Sequence, residues 1–312
     1  MLNPRIVFMG TPDFAVPCLE ILIEEGYDVA AVVTQPDRPK GRGQKFTPSP
    51  VKEKALAQNI KVLQPEKVKD SAFIEELTAI KPDLIIVVAF GQFLPKVLLD
   101  LPPLGCINVH ASLLPKYRGA APIHWSVING EIVTGVTTMY MDVGMDTGDM
   151  ILKAEMDIKQ DDSTGFIHDE LKIMGADVLK KTVKMILSNQ APRQPQDKDG
   201  ASYAPLLTRA LEHIDWNSSA VQIHNLVRGL NPWPGAYCCH QNKTLKIWTT
   251  SIFDKEKIGV PGRIESITDQ GILVETGKGI IELRTIQPES KRRMSARDYA
   301  SGNCLIAGDV LR

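Results

Sequence analysis

The sequence predicts an α/β fold: a parallel sheet with helices on both faces, followed by a smaller domain of short antiparallel strands. Three observations predict it. The first half alternates β-branched apolar runs with segments of helical spacing, as a parallel sheet covered by crossover helices does. A stretch rich in Pro, Gln, Asp and Ser then breaks all periodicity. Beyond it come closely spaced β-branched runs split by glycines and turn residues, as in a small barrel or sandwich.

In chain order, "RIVFMG" (Arg5 to Gly10) is a first strand, and Ala15 to Glu25 places Val16, Leu19, Leu22 and Ile23 at helical spacing. "DVAAVVT" (Asp28 to Thr34) and "KVLQP" near Val62 are further strands. Ser71 is expected to cap a helix whose apolar face is Phe73, Ile74, Leu77 and Ile80. "PDLIIVVAF", bounded by Pro and Gly, reads as a strand buried on both faces. "GCINVH" and "TGVTTMYMD" add two more, and a helix from Thr164 to Leu187 closes a first domain of residues 1–188. Residues 189–207 read as a linker. The second domain, residues 208–312, opens with the helix "SAVQIHNLVRGL" and continues with "TLKIWTTSIF", "GRIESIT", "GILVETG" and "GIIELRTIQP" as strands.

The chain has 312 residues, 43% hydrophobic and 23% charged, which suits a soluble protein of two domains. Its net charge of -1 recommends no polyanionic partner, so any such attraction must be local. Up to Leu207 there are 22 basic and 26 acidic residues; after it, 14 and 11. The second domain is therefore slightly basic, most sharply at Lys291, Arg292 and Arg293. Cys18, Cys106, Cys238, Cys239 and Cys304 are odd in number and form no C-x-x-C, so neither a disulfide framework nor a zinc site is expected. A reducing cytoplasm fits, as do the absence of a signal or transit segment before "RIVFMG" and the lack of an apolar run long enough to span a bilayer.

Ligands of open parallel sheets bind beyond the carboxyl ends of the strands. Four segments end there: "GTPDFA" (Gly10 to Ala15), "AFGQFLP" (Ala89 to Pro95), "INVHASLLPKYRGAAP" (Ile107 to Pro122) and "DVGMDTGD" (Asp142 to Asp149). The first lacks the G-x-G-x-x-G that a dinucleotide site needs. In the third, strand alternation puts Asn108 and His110 on one face. An amide can donate to a developing oxyanion, and an imidazole can move a proton near neutral pH. Asp142, Asp146 and Asp149 are each candidates to orient the imidazole. Ser112 lies nearby but "HASLLP" is not a G-x-S-x-G elbow, which points to direct transfer without a covalent enzyme intermediate. The residues show no metal-ligand spacing, and no metal is assigned. A strand-end Asn-x-His is also what a satisfied structural pair looks like, so pattern alone leaves hydrolase, transferase and binding protein open.

"NVHASLLPKYRGAAPIHWSVINGE", with "TGVTTMYMDVGMDTGDM", resembles the signature region of the folate-dependent formyltransferases. The likeness extends to "VFMGTPDFAVPCLE", "VTQPDRPKGRGQK", "VVAFGQFLP", the Pro-rich linker, "GLNPWPGAY" and "ESKRRMSARDYASG", and so covers nearly the whole chain. It implies a Rossmann-like first domain and an OB-fold-like β-barrel second domain. It places the family's catalytic trio on Asn108, His110 and Asp146, and its folate-binding stretch on Ser112, Leu113, Leu114 and Pro115. The formyl donor it implies is 10-formyltetrahydrofolate, with no metal. The SLLP stretch and the Asp loop are common to the branches acting on glycinamide ribonucleotide and on sugars. The basic loop and the second domain match the branch that formylates the α-amine of methionine on initiator methionyl-tRNA, for translation initiation. On that reading Asn108 and His110 hydrogen-bond the tetrahedral oxyanion, and Asp146 holds His110 in its working protonation state. The tRNA phosphates are expected at Lys40, Arg42 and Lys45 of a glycine-bearing loop and at Lys291, Arg292 and Arg293. A cytoplasmic monomer, without membrane contact, completes the expectation.

Three rivals stand beside it. An amino-sugar-nucleotide formyltransferase shares the trio but does not need the basic loop. A non-catalytic RNA-binding barrel protein needs no Asn-x-His plus Asp, and an oxidoreductase would carry the missing glycine fingerprint. "KYRGAAP", Lys116 to Pro122, receives no role from the sequence.

Overall fold

A computed structural model describes residues 3–40 and 45–312; the side chains of Lys40 and Lys45 lie outside the described residues. The chain begins with β1 (Arg5–Gly10), a 3-10 turn, α1 (Val16–Glu24), β2 (Asp28–Val33), the paired strands β3 (Arg38–Lys40) and β4 (Lys45–Thr47), α2 (Pro50–Ala57) and β5 (Val62–Leu63). There follow α3 (Ser71–Ile80), β6 (Leu84–Val88), α4 (Lys96–Leu99), β7 (Cys106–His110), β8 (Arg118–Gly119), α5 (Pro122–Ile128), β9 (Val133–Tyr140), β10 (Met150–Asp157), α6 (Thr164–Leu187) and β11 (Tyr203–Ala204). The remainder is α7 (Ala220–Gly229), β12 (Ala236–His240), β13 (Lys243–Asp254), β14 (Ile264–Ile267), β15 (Ile272–Glu275), β16 (Ile280–Pro288), β17 (Met294–Ser295) and α8 (Ala296–Gly302).

Two compact units result. The first comprises Met1–Gly119, Gly135–Met156 and His168–Tyr203; the second comprises Ala120–Thr134, Asp157–Ile167 and Ala204–Arg312. That interleaving is invisible to a reading along the chain, which draws its boundaries at 188 and 208. It follows packing: Gly229 of α7 lies so close to Ile128 of α5 that a β-carbon there would collide with it.

The first unit carries a seven-stranded sheet in the order β10-β9-β7-β6-β1-β2-β5. β1 runs parallel to β2 on one side and to β6 on the other, so the strand order reverses at β1, the switch point where such sheets bind ligands. β7 continues parallel to β6, and β9 turns antiparallel to β7. β1, β6 and β7 are buried almost throughout, as their unbroken apolar sequences require. Their side chains pack with Leu77 of α3 and Leu98 of α4. Each such buried side chain contributes roughly 1.5–3 kcal/mol of transfer free energy.

Two local outcomes differ from expectation. The N-cap of α3 is Asp70, in extended backbone and without a side-chain cap bond, and Ser71 is already helical. β10 was hidden in "MILKAEMD" because it alternates half-buried residues with the exposed Lys153, Glu155 and Asp157, the charged face of an edge strand.

The second unit is a six-stranded antiparallel sheet, β12-β13-β16-β15-β14 with β17 on β16. Register shifts break the long β13–β16 ladder. α7 starts with a full capping box between Ser219 and Gln222 and buries Ile223 and Val227 among Ile247, Ile264, Ile281 and Leu283. Several of its buried polar groups are paired, although Trp216 Nε1 and Glu265 Oε2 meet no partner among the described residues. The His224 ring lies 2.9 Å from both Thr250 Oγ1 and the Gln160 carbonyl, His240 meets Tyr299, and Arg263 forks onto Glu275. Among the described residues no helix is long and apolar enough to cross a membrane.

Candidate active site

β7 delivers Asn108 and His110 to the carboxyl end of the sheet, both buried, at 9% and 7% exposure. β9 lies opposite, with Asn108 facing Met139 and His110 facing Thr137. The Asp142–Asp149 loop closes over this end and decides among the three aspartates. Asp142 ties its own turn, accepting from Gly144 N at 3.0 Å and Thr147 Oγ1 at 2.6 Å. Asp149 faces Arg193, 3.8 Å away. Asp146 alone of the three reaches the pair: its Oδ1 accepts from Asn108 Nδ2 at 3.4 Å, and its Oδ2 lies 3.8 Å from His110 Nδ1.

The stretch left without a role frames this arrangement. His110 Nε2 is 3.0 Å from the Tyr117 carbonyl, which can only accept, so the hydrogen bond assigns the proton to Nε2. Nδ1 is then the nitrogen free to take a proton, on the side of Asp146. Gly119 N donates to Asp146 Oδ2 at 2.8 Å. Tyr117 and Asp146 both adopt the left-handed backbone region, with φ of 60° and 52°.

The segment expected as a linker continues the frame. Ser202 Oγ accepts from Tyr117 N, and the Ser202 carbonyl from Arg118 N. β11 pairs with β8, and Gln194 exchanges two backbone bonds with Met150. Gln196 Nε2 donates to the carbonyls of Asp146 and Gly148 at 2.7 and 2.8 Å, while its Oε1 accepts from Arg118 Nε and Nη2 at 3.0 and 2.7 Å.

In Ser112 to Pro115 the polar groups are largely occupied. Ser112 Oγ donates to the Lys116 carbonyl, Leu114 N to Thr137 Oγ1, and Lys153 Nζ to the Leu114 carbonyl. Leu114 is fully buried beside Met139 and Met150, whereas Leu113 and Pro115 keep exposed edges, and the Leu114–Pro115 peptide is cis. No thiol offers a nucleophile close to the pair: burial pushes Cys106, on β7 itself, up to about 12. Thr11 Oγ1 and Gln35 Nε2 both donate to the Phe90 carbonyl, joining the loops after β1, β2 and β6, and Val68, Gln92, Phe93, Leu94 and Pro95 line a shallow cleft there.

A family model described as Formyl transferase matches residues 4–183, and one described as Formyl transferase, C-terminal domain, matches residues 206–303. The chain is 52% identical over 307 residues to the Methionyl-tRNA formyltransferase of Alkaliphilus oremlandii, covering 98% of this chain and 99% of that one. With the protein of the same name from Syntrophus aciditrophicus it shares 51% identity over the full length of both.

The chain belongs to the methionyl-tRNA formyltransferase family.

Solved structures share the fold at lower identity. The sugar 3N-formyl transferase WlaRD, solved in the presence of dTDP and 5-N-Formyl-THF, is 22% identical with a TM-score of 0.68, over 94% of this chain and all of that one. HypX from Aquifex aeolicus has a TM-score of 0.65 at 15% identity; the chain aligns over 99% of its own length but spans only 49% of HypX.

Against this methionyl-tRNA formyltransferase fold, the sequence-predicted residues divide into groups. Asn108, His110 and Asp146 come together, and Ser112 to Pro115 follow directly on their strand. Lys291 and Arg292 are exposed in the second unit, while the Arg293 guanidinium lies 3.6 Å over the Trp248 ring. Arg42 lies outside the described residues, and Lys40 and Lys45 are described only as backbone partners in β3–β4. Sequence reasoning missed Tyr117, Arg118, Gly119 and Gln196. Two of these act through backbone atoms, which carry no residue signature; Gln196 sits in a stretch whose composition reads as coil.

Proposed function

We propose that this chain transfers the formyl group of 10-formyltetrahydrofolate to the α-amino group of methionine esterified to initiator tRNA, by direct attack of the amine. The observation that carries the reading is the convergence of Asn108, His110 and Asp146 at the end of β7, with no activated Ser or Cys beside them among the described residues. Family membership supports the substrates.

The attacking amine must be neutral. Its ordinary pKa is near 8, so about a tenth is ready at pH 7 and one local base suffices for the rest. As the amine adds to the formyl carbon, its nitrogen becomes positive and the formyl oxygen negative. Asn108 Nδ2, held by Asp146 Oδ1 on one hydrogen, keeps a second N–H for that oxygen. His110 Nδ1 takes the surplus proton from the nitrogen, its other nitrogen being held at the Tyr117 carbonyl. The imidazolium so formed faces the Asp146 carboxylate, which stabilises it, and the proton then goes to the folate nitrogen as its bond to the formyl carbon breaks. Oxyanion stabilisation by His110, expected from the sequence, belongs to this second, protonated state.

With its hydrogen-bonding groups largely occupied, the Ser112–Pro115 stretch offers a folate mainly apolar surface, through Leu113 and Pro115. Lys291 and Arg292 are exposed cations suited to tRNA phosphates, and Arg42, Lys40 and Lys45 carry the same reading from the sequence.

The test is an incubation with 10-formyltetrahydrofolate and methionyl-initiator tRNA, with methionyl-elongator tRNA and an amino sugar nucleotide as controls. Formyl-methionyl initiator tRNA is the expected product. Formylation of the sugar nucleotide alone overturns the reading.

A further inference from the structure

We propose that Gln196 is a positioning residue of the transfer reaction, acting with Arg118 through Asp146; the proposal rests on the formyl-transfer reading above. Asp146 can serve Asn108 and His110 only while its two carboxylate oxygens stay where they are, 3.4 Å from one and 3.8 Å from the other. Its backbone turns through the left-handed region, at φ 52°, so the direction of its side chain follows the placement of the loop. The tip of the loop is tied to itself by Asp142. Its base is tied to the body of the unit by the Gln196 amide, through the carbonyls of Asp146 and Gly148.

The chemistry at position 196 is specific to a primary amide. One side of the group must accept from a guanidinium, and the other must donate to two carbonyls. Gln196 does both, using two lone pairs and two N–H bonds. A carboxylate would bind Arg118 more strongly but present no donor to the loop. Arg118 is 5% exposed, and among the described residues its guanidinium meets no carboxylate. The buried cation therefore depends on the Gln196 oxygen. Arg118 also lies between Tyr117, whose carbonyl holds His110 Nε2, and Gly119, whose N–H holds Asp146 Oδ2. One amide thus fixes both the loop carrying the carboxylate and the strand that orients the imidazole.

Displacement of a reacting geometry by ~1 Å can cost roughly a hundredfold in rate. The experiment uses the full chain with Gln196→Met, which keeps the length without polar atoms, and Gln196→Glu, which keeps the bond to Arg118. Asp146→Asn and the double variant Gln196→Met/Asp146→Asn complete the set. Initial rates are measured against both substrates, alongside melting temperatures. Gln196→Met should lower kcat by about ten- to a hundredfold with KM for folate and tRNA within about twofold. Gln196→Glu should lose kcat while melting no earlier than the parent. Because Gln196 acts chiefly through Asp146, adding Gln196→Met to Asp146→Asn should slow the enzyme far less than Gln196→Met slows the parent. A parental kcat in Gln196→Met overturns the proposal, as do losses that multiply in the double variant, or loss of fold in both Gln196 variants. Absence of transfer by the unmodified chain removes the reaction reading and this proposal with it.

Discussion

His110 and His224 are both buried, at 7% and 3% exposure, one in each unit, and each has a carboxylate within 4 Å of a ring nitrogen, Asp146 at 3.8 Å and Asp161 at 3.5 Å. On α7, His224 has both nitrogens in use, Nε2 donating to the Gln160 carbonyl and Nδ1 accepting from the Thr250 hydroxyl. Burial holds its pKa below the ordinary value, with the charge of Arg228 acting in the same direction; the Gln160 bond and Asp161 oppose. His110 has one nitrogen in use and the other, without a hydrogen bond among the described residues, facing a carboxylate at 3.8 Å. Burial and a nearby carboxylate are common to both. What sets His110 apart, and suits it to the proton transfer proposed above, is the ring nitrogen left unengaged beside that carboxylate.

The comparison breaks most readily at the level of rate. His110→Ala and Asn108→Ala should each lower kcat by roughly a hundredfold or more, with an unfolding midpoint near the parental one. His224→Ala should leave kcat within about twofold. A folded His224→Ala protein as slow as His110→Ala would erase the distinction.

Stability should show the reverse order. Removing His224 strands the Thr250 hydroxyl and the Gln160 carbonyl, at about 1–3 kcal/mol in urea-induced unfolding. A third test sharpens the same contrast through pH. A histidine whose folded pKa lies below its unfolded value of about 6.5 binds its proton more readily when unfolded. Its contribution is therefore complete above about 6.5 and is lost as pH falls from there towards the folded value. The second unit should lose stability over that range, with His240, also lowered by burial, adding to the effect. His224→Ala should flatten the profile; an unchanged profile would show that His224 does not titrate as its burial requires.

The smallest effect concerns the other contrast between the units, buried polarity against exposed charge. Replacing Lys291 and Arg292 by Ala should reduce the slope of log KM for tRNA against log salt by about one for each phosphate no longer neutralised, leaving the folate KM unchanged. An unaltered slope would take these two side chains out of the tRNA footprint.

Much of this was legible in the sequence. Strand alternation alone set Asn108 and His110 on one face, and the continuous apolar runs located β1 and β6. Periodicity did not choose among Asp142, Asp146 and Asp149; the family resemblance did, and the hydrogen bonds give the physical reason. The frame was not legible. Tyr117 and Gly119 contribute a carbonyl and an N–H, which any residue has, and Gln196 meets Arg118 across 78 positions of chain. β10 escaped because an edge strand need not look apolar, and the interleaving of α5 with α7 because packing between distant helices leaves no mark in a local window.

The backbone of Asp146 limits how its charge can be probed. At φ 52°, the residues with a β-carbon that enter most readily are Asp and Asn. Asn is therefore the quiet replacement, removing the carboxylate while leaving the turn as it was. Glu, which looks conservative because it keeps the charge, combines an unfavourable backbone with a carboxylate carried one methylene too far. At this position the familiar ranking of gentle and harsh substitutions is inverted, and an Asp-to-Glu change reports on geometry where Asp-to-Asn reports on charge.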